Sequence, residues 1–190
     1  MYKSQAGTQT VTITAEEVTA TVEVKVAESV VAAVSNSAGI IGAEDNSTGW
    51  WTVFSDNFNV PAGETRSISF TNYTSQANNW SNFANVLRKA DLAEYAVVRA
   101  DNYGWGAGYD GNASLVHNGT QGDWAAWLAD MNGAKVTVYV TNCGNGTADI
   151  QAIMKGTSGT SYAQYYLGIN KLDMNDLNFA LTIEGGHLVF

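Results

Sequence analysis

The sequence predicts an all-β fold, a β-sandwich or jelly roll with one short helix. Short segments of alternating apolar and polar residues recur along the chain, and turns rich in glycine and asparagine separate them. A parallel α/β fold would need long helices between its strands, and the periodicity indicates none. Only 14% of the residues are charged, against about 25% in an ordinary globular domain, so uncharged polar residues must cover much of the surface.

The first 28 residues are predicted to form a β-hairpin. Thr8–Ala15 and Val18–Val26 alternate apolar and polar residues around a turn at Glu16 and Glu17. This stretch resembles the last two strands of a bacterial immunoglobulin-like repeat. Residues 29–48 are small and polar, and we predict a connection there with a short strand at 30–34. The main domain is expected to span 49–190, which is long enough to bury a core of its own.

Seven segments of the main domain carry a strand pattern. In most of them, apolar residues occupy every second position, on the face expected to meet the core. A turn at Gly185 and Gly186 precedes the last segment. The segments are 67–71, 95–101, 135–142, 148–154, 161–169, 177–184 and 188–190.

One helix is predicted at residues 123–133. Asp123 is a residue type that caps a helix N-terminus, and Gly133 suits the position beyond its end. An apolar stripe at helical spacing lies between them, formed by Trp124, Trp127, Leu128 and Met131. We expect the two tryptophans to pack in the core rather than to bind a ligand.

Composition and charge restrict the class of partner. The net charge is −9, and an acidic protein repels phosphates, so nucleic acids and anionic membrane surfaces are not expected partners. Polyanionic glycans are also disfavoured unless a local basic site overrides the overall charge. No apolar run is long enough for membrane insertion, and the single cysteine, Cys143, can form no intrachain disulfide. The neutral polar surface is typical of extracellular or cell-surface proteins; no leader peptide follows Met1, so secretion would need one upstream of this chain.

Motifs for catalysis and for cofactors are absent from the sequence, and we therefore expect a protein that is not an enzyme. The two histidines, His117 and His187, lack a partner at metal-ligand spacing, and no nucleophile elbow or phosphate loop occurs. Asp101, Asp110 and Asp123 leave a glycosidase open, because that reaction needs two carboxylates. No cofactor is expected; the oxygen ligands of a structural calcium would come from 173–176 with Asp101 and Asp110.

Residues 99–110, RADNYGWGAGYD, are the leading candidate for a binding site. Large aromatic residues in a glycine-rich loop form no periodic apolar face, so we expect them to face solvent and bind a ligand. Aromatic rings stack on the C–H face of a sugar, while carboxylate, amide and guanidinium groups bind its hydroxyls. The candidate residues are Arg99, Asp101, Asn102, Tyr103, Trp105 and Tyr109. The alternative is a local ion pair between Arg99 and Asp101, with the rings covering the core.

Two further segments are secondary candidates. Trp80 lies in an asparagine-rich loop, 75–83, where its ring could meet a sugar or fold inward together with Phe83. Gln164 and Tyr166 share one face of the strand 161–169, which would add an aromatic and polar groove. The adjacent residues Trp50 and Trp51 must diverge, so that one is expected in the core and the other in solvent.

Five sequence segments within residues 49–190 resemble those of one known class of module. They are GWWTVFSDNF, FTNYTSQANNWSNF, EYAVVRADNYGWG, DWAAWLADMNGAKVTVYVTN and FALTIEGGHLVF. These are similar to carbohydrate-binding modules attached to glycoside hydrolases, and to surface glycan-binding proteins, of gut Bacteroidetes. The resemblance implies a jelly-roll module in a larger multimodular protein that binds polysaccharide. The contacts it implies are Trp80, Arg99, Asp101, Asn102, Tyr103 and Trp105.

The expected ligand is a neutral glycan such as a β-glucan, a xyloglucan or a mannan, because the chain is acidic and rich in asparagine. Two other functions fit the same sequence. One is a structural or adhesive sandwich module of a surface protein, which the immunoglobulin-like start favours. The other is a jelly-roll polysaccharide hydrolase or lyase.

Overall fold

The computed structural model describes residues 7–15, 18–26, 30–107, 114–117, 123–173 and 175–190. The chain divides into two compact units, residues 1–30 and residues 31–190. Within the described residues, no helix has the length and apolar character needed to cross a membrane.

The first unit contains an antiparallel hairpin. Its strands are β1, Gly7–Ala15, and β2, Val18–Val26, which pair along their whole length from Gly7 opposite Val26 to Ala15 opposite Val18. The two predicted hairpin strands are therefore confirmed, whereas the predicted turn at Glu16 and Glu17 lies outside the described residues.

The second unit is built on two antiparallel sheets. The larger sheet has the order β10-β13-β12-β11-β6-β15-β4, with β3 also paired to β6. Its strands are β3 Val30–Ala33, β4 Ile40–Gly42, β6 Glu64–Thr74, β10 Ser114–His117, β11 Ala134–Asn142, β12 Thr147–Lys155, β13 Ser161–Asn170 and β15 Gly186–Val189. The smaller sheet has the order β5-β14-β7-β8-β9. Its strands are β5 Phe58–Asn59, β7 Phe83–Arg88, β8 Glu94–Arg99, β9 Gly104–Gly106 and β14 Asn178–Ile183.

The hydrophobic core draws on both sheets. Strand β11 buries every second residue, and its neighbour β12 does the same. From the smaller sheet, Phe83, Leu87 and Phe179 join the same buried cluster. Alternation of this kind is what a sheet with one face on the core and one in solvent requires. The predicted all-β sandwich is thereby confirmed.

The described residues contain one helix, α1, Trp124–Met131, at the predicted place. The Asp123 side chain caps it by accepting a hydrogen bond of 3.1 Å from the Ala126 amide. Trp127 and Met131 are fully buried, as the apolar stripe predicted. Gly133 follows with a φ of 98°, a conformation that favours glycine.

Two parts of the sequence-based assignment need correction. The larger unit begins at residue 31 instead of 49, because β3 and β4 belong to its sheet and Ile41 is buried in its core. Strands β5, β9 and β10 were also not predicted, and β9 lies in the segment that was expected to be a loop. The longest strand missed is β7. Its six residues are all buried, so it shows no alternation between an apolar and a polar face.

Candidate functional site

The candidate site lies on the outer face of the smaller sheet. Side chains alternate along β7, so that Phe83 and Leu87 enter the main core while Ala84 and Val86 point to the opposite face. That opposite face is partly covered by the segment 50–54. The resulting second apolar cluster contains Ala84, Val86 and Val97, with Trp50 and Phe54 packed against it.

Three exposed rings adjoin this cluster, and two of them each contact the third. We call Trp51, Tyr103 and Trp105 the aromatic patch; their exposed fractions are 38%, 55% and 36%. The ring centroids of Trp51 and Trp105 are 5.9 Å apart, with the ring planes at 87°. Tyr103 and Trp105 are 6.1 Å apart at 49°. The prediction that Tyr103 and Trp105 face solvent is confirmed, whereas Tyr109 lies outside the described residues.

Strand β9 holds Trp105 at this position. Trp105 lies opposite Val97 of β8, whose side chain belongs to the second cluster. The next residue, Gly106, has a φ of 103°, and a Cβ there would collide with the Tyr95 carbonyl oxygen. Glycine is thus required beside Trp105, because only a residue without a side chain lets the strand approach β8 so closely.

Arg99 and Asp101 form a two-point ion pair behind Tyr103. Arg99 Nε donates to Asp101 Oδ1 at 2.8 Å, and a second guanidinium nitrogen donates to Oδ2 at 2.6 Å. The Arg99 guanidinium also lies over the Tyr103 ring, 4.6 Å from its centroid. The alternative expected from sequence, a local ion pair, is therefore present. Tyr103 and Trp105 beside it nevertheless face solvent, and the Arg99 guanidinium packs against the Tyr103 ring.

Gln164 ties the turn before Tyr103 to the larger sheet. Its side-chain amide donates to the Arg99 carbonyl at 2.8 Å and to Asn102 Oδ1 at 2.9 Å. Asn102 has a φ of 67°, a conformation that asparagine tolerates better than most residues. The turn that carries the patch is thus held by a side chain from β13.

The placement of Gln164 and Tyr166 on a solvent-exposed face was wrong. The predicted alternation along the strand is correct, but the face that carries both residues is the buried one. A buried amide needs internal partners, and Gln164 finds them in the turn at Arg99–Asn102. Gln164 therefore supports the site from the interior, and neither buried residue is placed to touch a ligand.

Trp80 is exposed but separate from the aromatic patch. Its exposed fraction is 44%, while its neighbour Phe83 is fully buried. In the described part of the chain, no ring contact joins Trp80 to Trp51, Tyr103 or Trp105. Trp80 is therefore an exposed ring that lies apart from the aromatic patch.

Trp51 was not among the site residues chosen from the sequence. The adjacent Trp50 is partly buried on the second cluster while Trp51 is exposed, as expected, but the two rings do not diverge, since their centroids are 5.8 Å apart with the ring planes at 36°. Trp51 has a φ of 63°, which turns its ring outward onto Phe54 and Trp105. The tryptophan doublet was the signal available in the sequence, but it did not show which ring would reach Trp105.

The carboxylates considered for calcium are engaged elsewhere. Asp101 is paired with Arg99, and Asp176 Oδ1 accepts a hydrogen bond of 2.8 Å from the Tyr95 hydroxyl. Asp173 Oδ1 accepts one of 3.0 Å from the Asn175 amide. No three histidine, cysteine or acidic residues of the described ranges converge as metal ligands; Asp110 lies outside those ranges.

No family model, curated protein or solved structure matches this chain. The geometry and chemistry of the surface are therefore the basis for a functional assignment.

Glu184 is the titratable group near the site whose burial has a measurable consequence. One carboxylate oxygen, Oε2, is buried and accepts no hydrogen bond from the described residues. Burial raises the pKa of Glu184, and the Ser81 hydroxyl and the Arg99 charge act in the opposite direction. Because the pKa is raised by folding, the protonated form of Glu184 favours the folded state, and this contribution is lost as the pH rises through the raised pKa.

We therefore expect Glu184→Gln to stabilise the protein at pH 7 by up to about 1 kcal/mol, since the group is only half-buried and solvent screens it. The gain should shrink as the pH falls toward 4, where Glu184 itself becomes neutral. Thermal melting at both pH values measures the difference. Glu44→Gln, at an exposed carboxylate, is the matched control and should show no such trend. A lower melting temperature of Glu184→Gln at pH 7 would contradict the assignment.

Proposed function

We propose that this protein is a non-catalytic carbohydrate-binding module whose aromatic patch binds a neutral polysaccharide. The supporting observation is that Trp105 contacts both Trp51 and Tyr103 while all three rings stay exposed on the surface. Apolar surface left in water is unfavourable, and contiguous exposed patches mark binding sites. A sugar fits this surface because its C–H face packs on aromatic rings while its hydroxyls remain in water.

The backbone at Trp51 supports a binding role for the patch. A left-handed conformation at a residue with a Cβ costs of order 1–3 kcal/mol, and such residues concentrate at functional sites. The strained backbone at Trp51 directs a large ring onto Phe54 and Trp105, outside the main core, and leaves 38% of the residue exposed. Contact with a ligand would explain why the chain keeps this unfavourable backbone conformation at Trp51.

The angle between the rings favours a single glycan chain over a planar crystalline surface as the ligand. Because the planes of Trp51 and Trp105 are nearly perpendicular, they cannot both lie flat on a planar crystalline surface. A single glycan chain can instead enter the corner between them, stacking one sugar on Trp105 and contacting the edge of Trp51. The ligand we propose is accordingly a soluble or amorphous chain of a β-glucan, a xyloglucan or a mannan.

Charge supports a neutral glycan at this site and binding without cleavage. The net charge of −9 opposes polyanions, and the guanidinium that lies over Tyr103, that of Arg99, is already paired with Asp101. A glycosidase needs two carboxylates across the scissile bond. Asp101 is committed to Arg99 and is poorly suited to that role. The module would belong to a larger multimodular protein, outside the cell or at its surface.

A glycan array followed by incubation with the best ligand tests this proposal. Retention of neutral polysaccharide without new reducing ends supports a binding module. Release of oligosaccharides would show a hydrolase or lyase instead. Absence of binding to every glycan on the array would overturn the proposal in favour of a structural or adhesive module.

A further inference from the structure

A groove lies on the outer face of the larger sheet, and none of the residues of the aromatic patch line it. It has a volume of about 610 Å³ and crosses strands β15, β6, β11 and β12. Two lysines, hydroxyl groups and an apolar side chain are prominent in its lining. These side chains belong to Ser69, Thr71, Lys135, Thr137, Ile153 and Lys155.

The charge of this groove is opposite to that of the protein. The chain has 18 acidic and 9 basic residues, yet two lysines and no acidic residue line the groove. Lys135 and Lys155 are direct partners across β11 and β12. Like charges placed opposite each other on neighbouring strands are destabilising. The ion pairs among the described residues join Arg66 to Glu64 and Arg99 to Asp101, so no carboxylate there neutralises either lysine.

The surroundings of the two lysines suit a saccharide. Lys135 Nζ donates to the Thr71 hydroxyl at 2.6 Å, which fixes the ammonium group over the groove. The hydroxyls of Ser69 and Thr137 are 2.9 Å apart and line the next rung of the sheet. Ile153 is 39% exposed beside them and offers an apolar surface for the C–H groups of a sugar ring.

The groove is less suited to a peptide. It lies on the face of the sheet, where the backbone groups of β6, β11 and β12 are already paired with neighbouring strands. A peptide that binds by strand addition needs an open edge with free backbone donors and acceptors. Recognition here must come from side chains alone: ammonium groups, hydroxyls and one aliphatic chain.

We propose that this lysine groove, defined by Thr71, Lys135, Thr137, Ile153 and Lys155, binds a carboxylate-bearing sugar, a uronic acid unit of a glycan. The carboxylate would accept charge-assisted hydrogen bonds from the two ammonium groups, and the ring would pack on Ile153. Because the whole protein is acidic, the site selects an isolated uronic acid on an otherwise neutral chain and not a polyanion. The site uses none of the residues of the aromatic patch.

The test compares two soluble oligosaccharides by titration calorimetry with the full chain. One is a xylo-oligosaccharide that carries a glucuronic acid branch, and the other is the same oligosaccharide without the branch. We expect tighter binding of the branched ligand, and a roughly tenfold loss of that affinity in Lys135→Gln/Lys155→Gln. The affinity should also fall as salt rises, because exposed charges are screened within about 10 Å at 0.1 M ionic strength.

The matched control is Lys89→Gln/Lys171→Gln, which removes the same two charges at lysines outside the groove. It should keep the affinity for the branched ligand. Equal binding of the two oligosaccharides, or an equal loss in both double variants, would overturn the proposal. Equal affinity for a short glutamate peptide would show that the groove recognises charge without a sugar, which also overturns it. Trp105→Ala should leave unchanged the affinity difference between the branched and the unbranched oligosaccharide, so failure at one site is distinguishable from failure at the other.

Discussion

Trp105→Ala is expected to weaken polysaccharide binding by about 30-fold or more while leaving the melting temperature nearly unchanged. An aromatic anchor at the centre of a binding surface contributes at least about 2 kcal/mol, which corresponds to that factor. Trp105 touches both other rings of the aromatic patch, so its removal also leaves Trp51 and Tyr103 without a shared neighbour. Calorimetry with the best glycan measures the affinity, and thermal melting measures the fold.

Two comparisons make this result specific. Trp105→Phe keeps a ring at the centre of the patch and should retain more of the affinity than Trp105→Ala. Leu167→Ala removes an even more exposed apolar side chain, on β13 of the other sheet, and should leave binding unaltered. Unchanged affinity in Trp105→Ala would show that the ring is not part of the binding site. A large loss of stability would show that the ring belongs to the fold.

Trp127→Ala should have the largest effect on stability of any tryptophan substitution considered, with a loss of about 3–5 kcal/mol in the free energy of unfolding. Trp127 is fully buried on α1, among the largest side chains of the core, and few neighbouring atoms could move to fill the space it leaves. Denaturant unfolding measures the change. Affinity per folded molecule should stay the same, because α1 contributes no residue to the aromatic patch.

Trp124→Ala is the matched comparison on the same helix. The two rings pack edge to face with centroids 5.4 Å apart, but Trp124 is only half-buried. Its loss should therefore cost less than that of Trp127. If Trp124→Ala proved the more damaging of the two, the helix would be packed by a different face from the one described.

The elements that were predictable from sequence are those with one face in solvent. Apolar residues alternate along strands β11 and β12 and recur at helical spacing in α1. The period of each segment therefore predicts both the type of element and its buried face. Strand β7 lies between two apolar clusters and has no such period. Strand β4 is only three residues long, and its place depends on pairing with β15, which is distant in sequence.

The candidate site was predictable in its residue types but not in its contacts. Aromatic residues among glycines indicated the exposure of Tyr103 and Trp105, since such a segment has no face to bury. Trp51 reaches the patch through a backbone angle that a sequence does not display. Gln164 illustrates the opposite limit: its alternation on β13 was clear, but which face met the core depended on the packing of the other sheet.

The bracing of the turn by Gln164 bears on the thermodynamics of ligand capture. A glycine-rich segment left to itself would have to give up conformational freedom at the moment a glycan arrived, and that entropy would be subtracted from the affinity. Here the amide of Gln164 and the guanidinium of Arg99 hold the turn from Arg99 to Tyr103 when the chain folds. A glycan would thus meet rings already set in place, and the ordering cost of binding would fall mainly on the sugar chain.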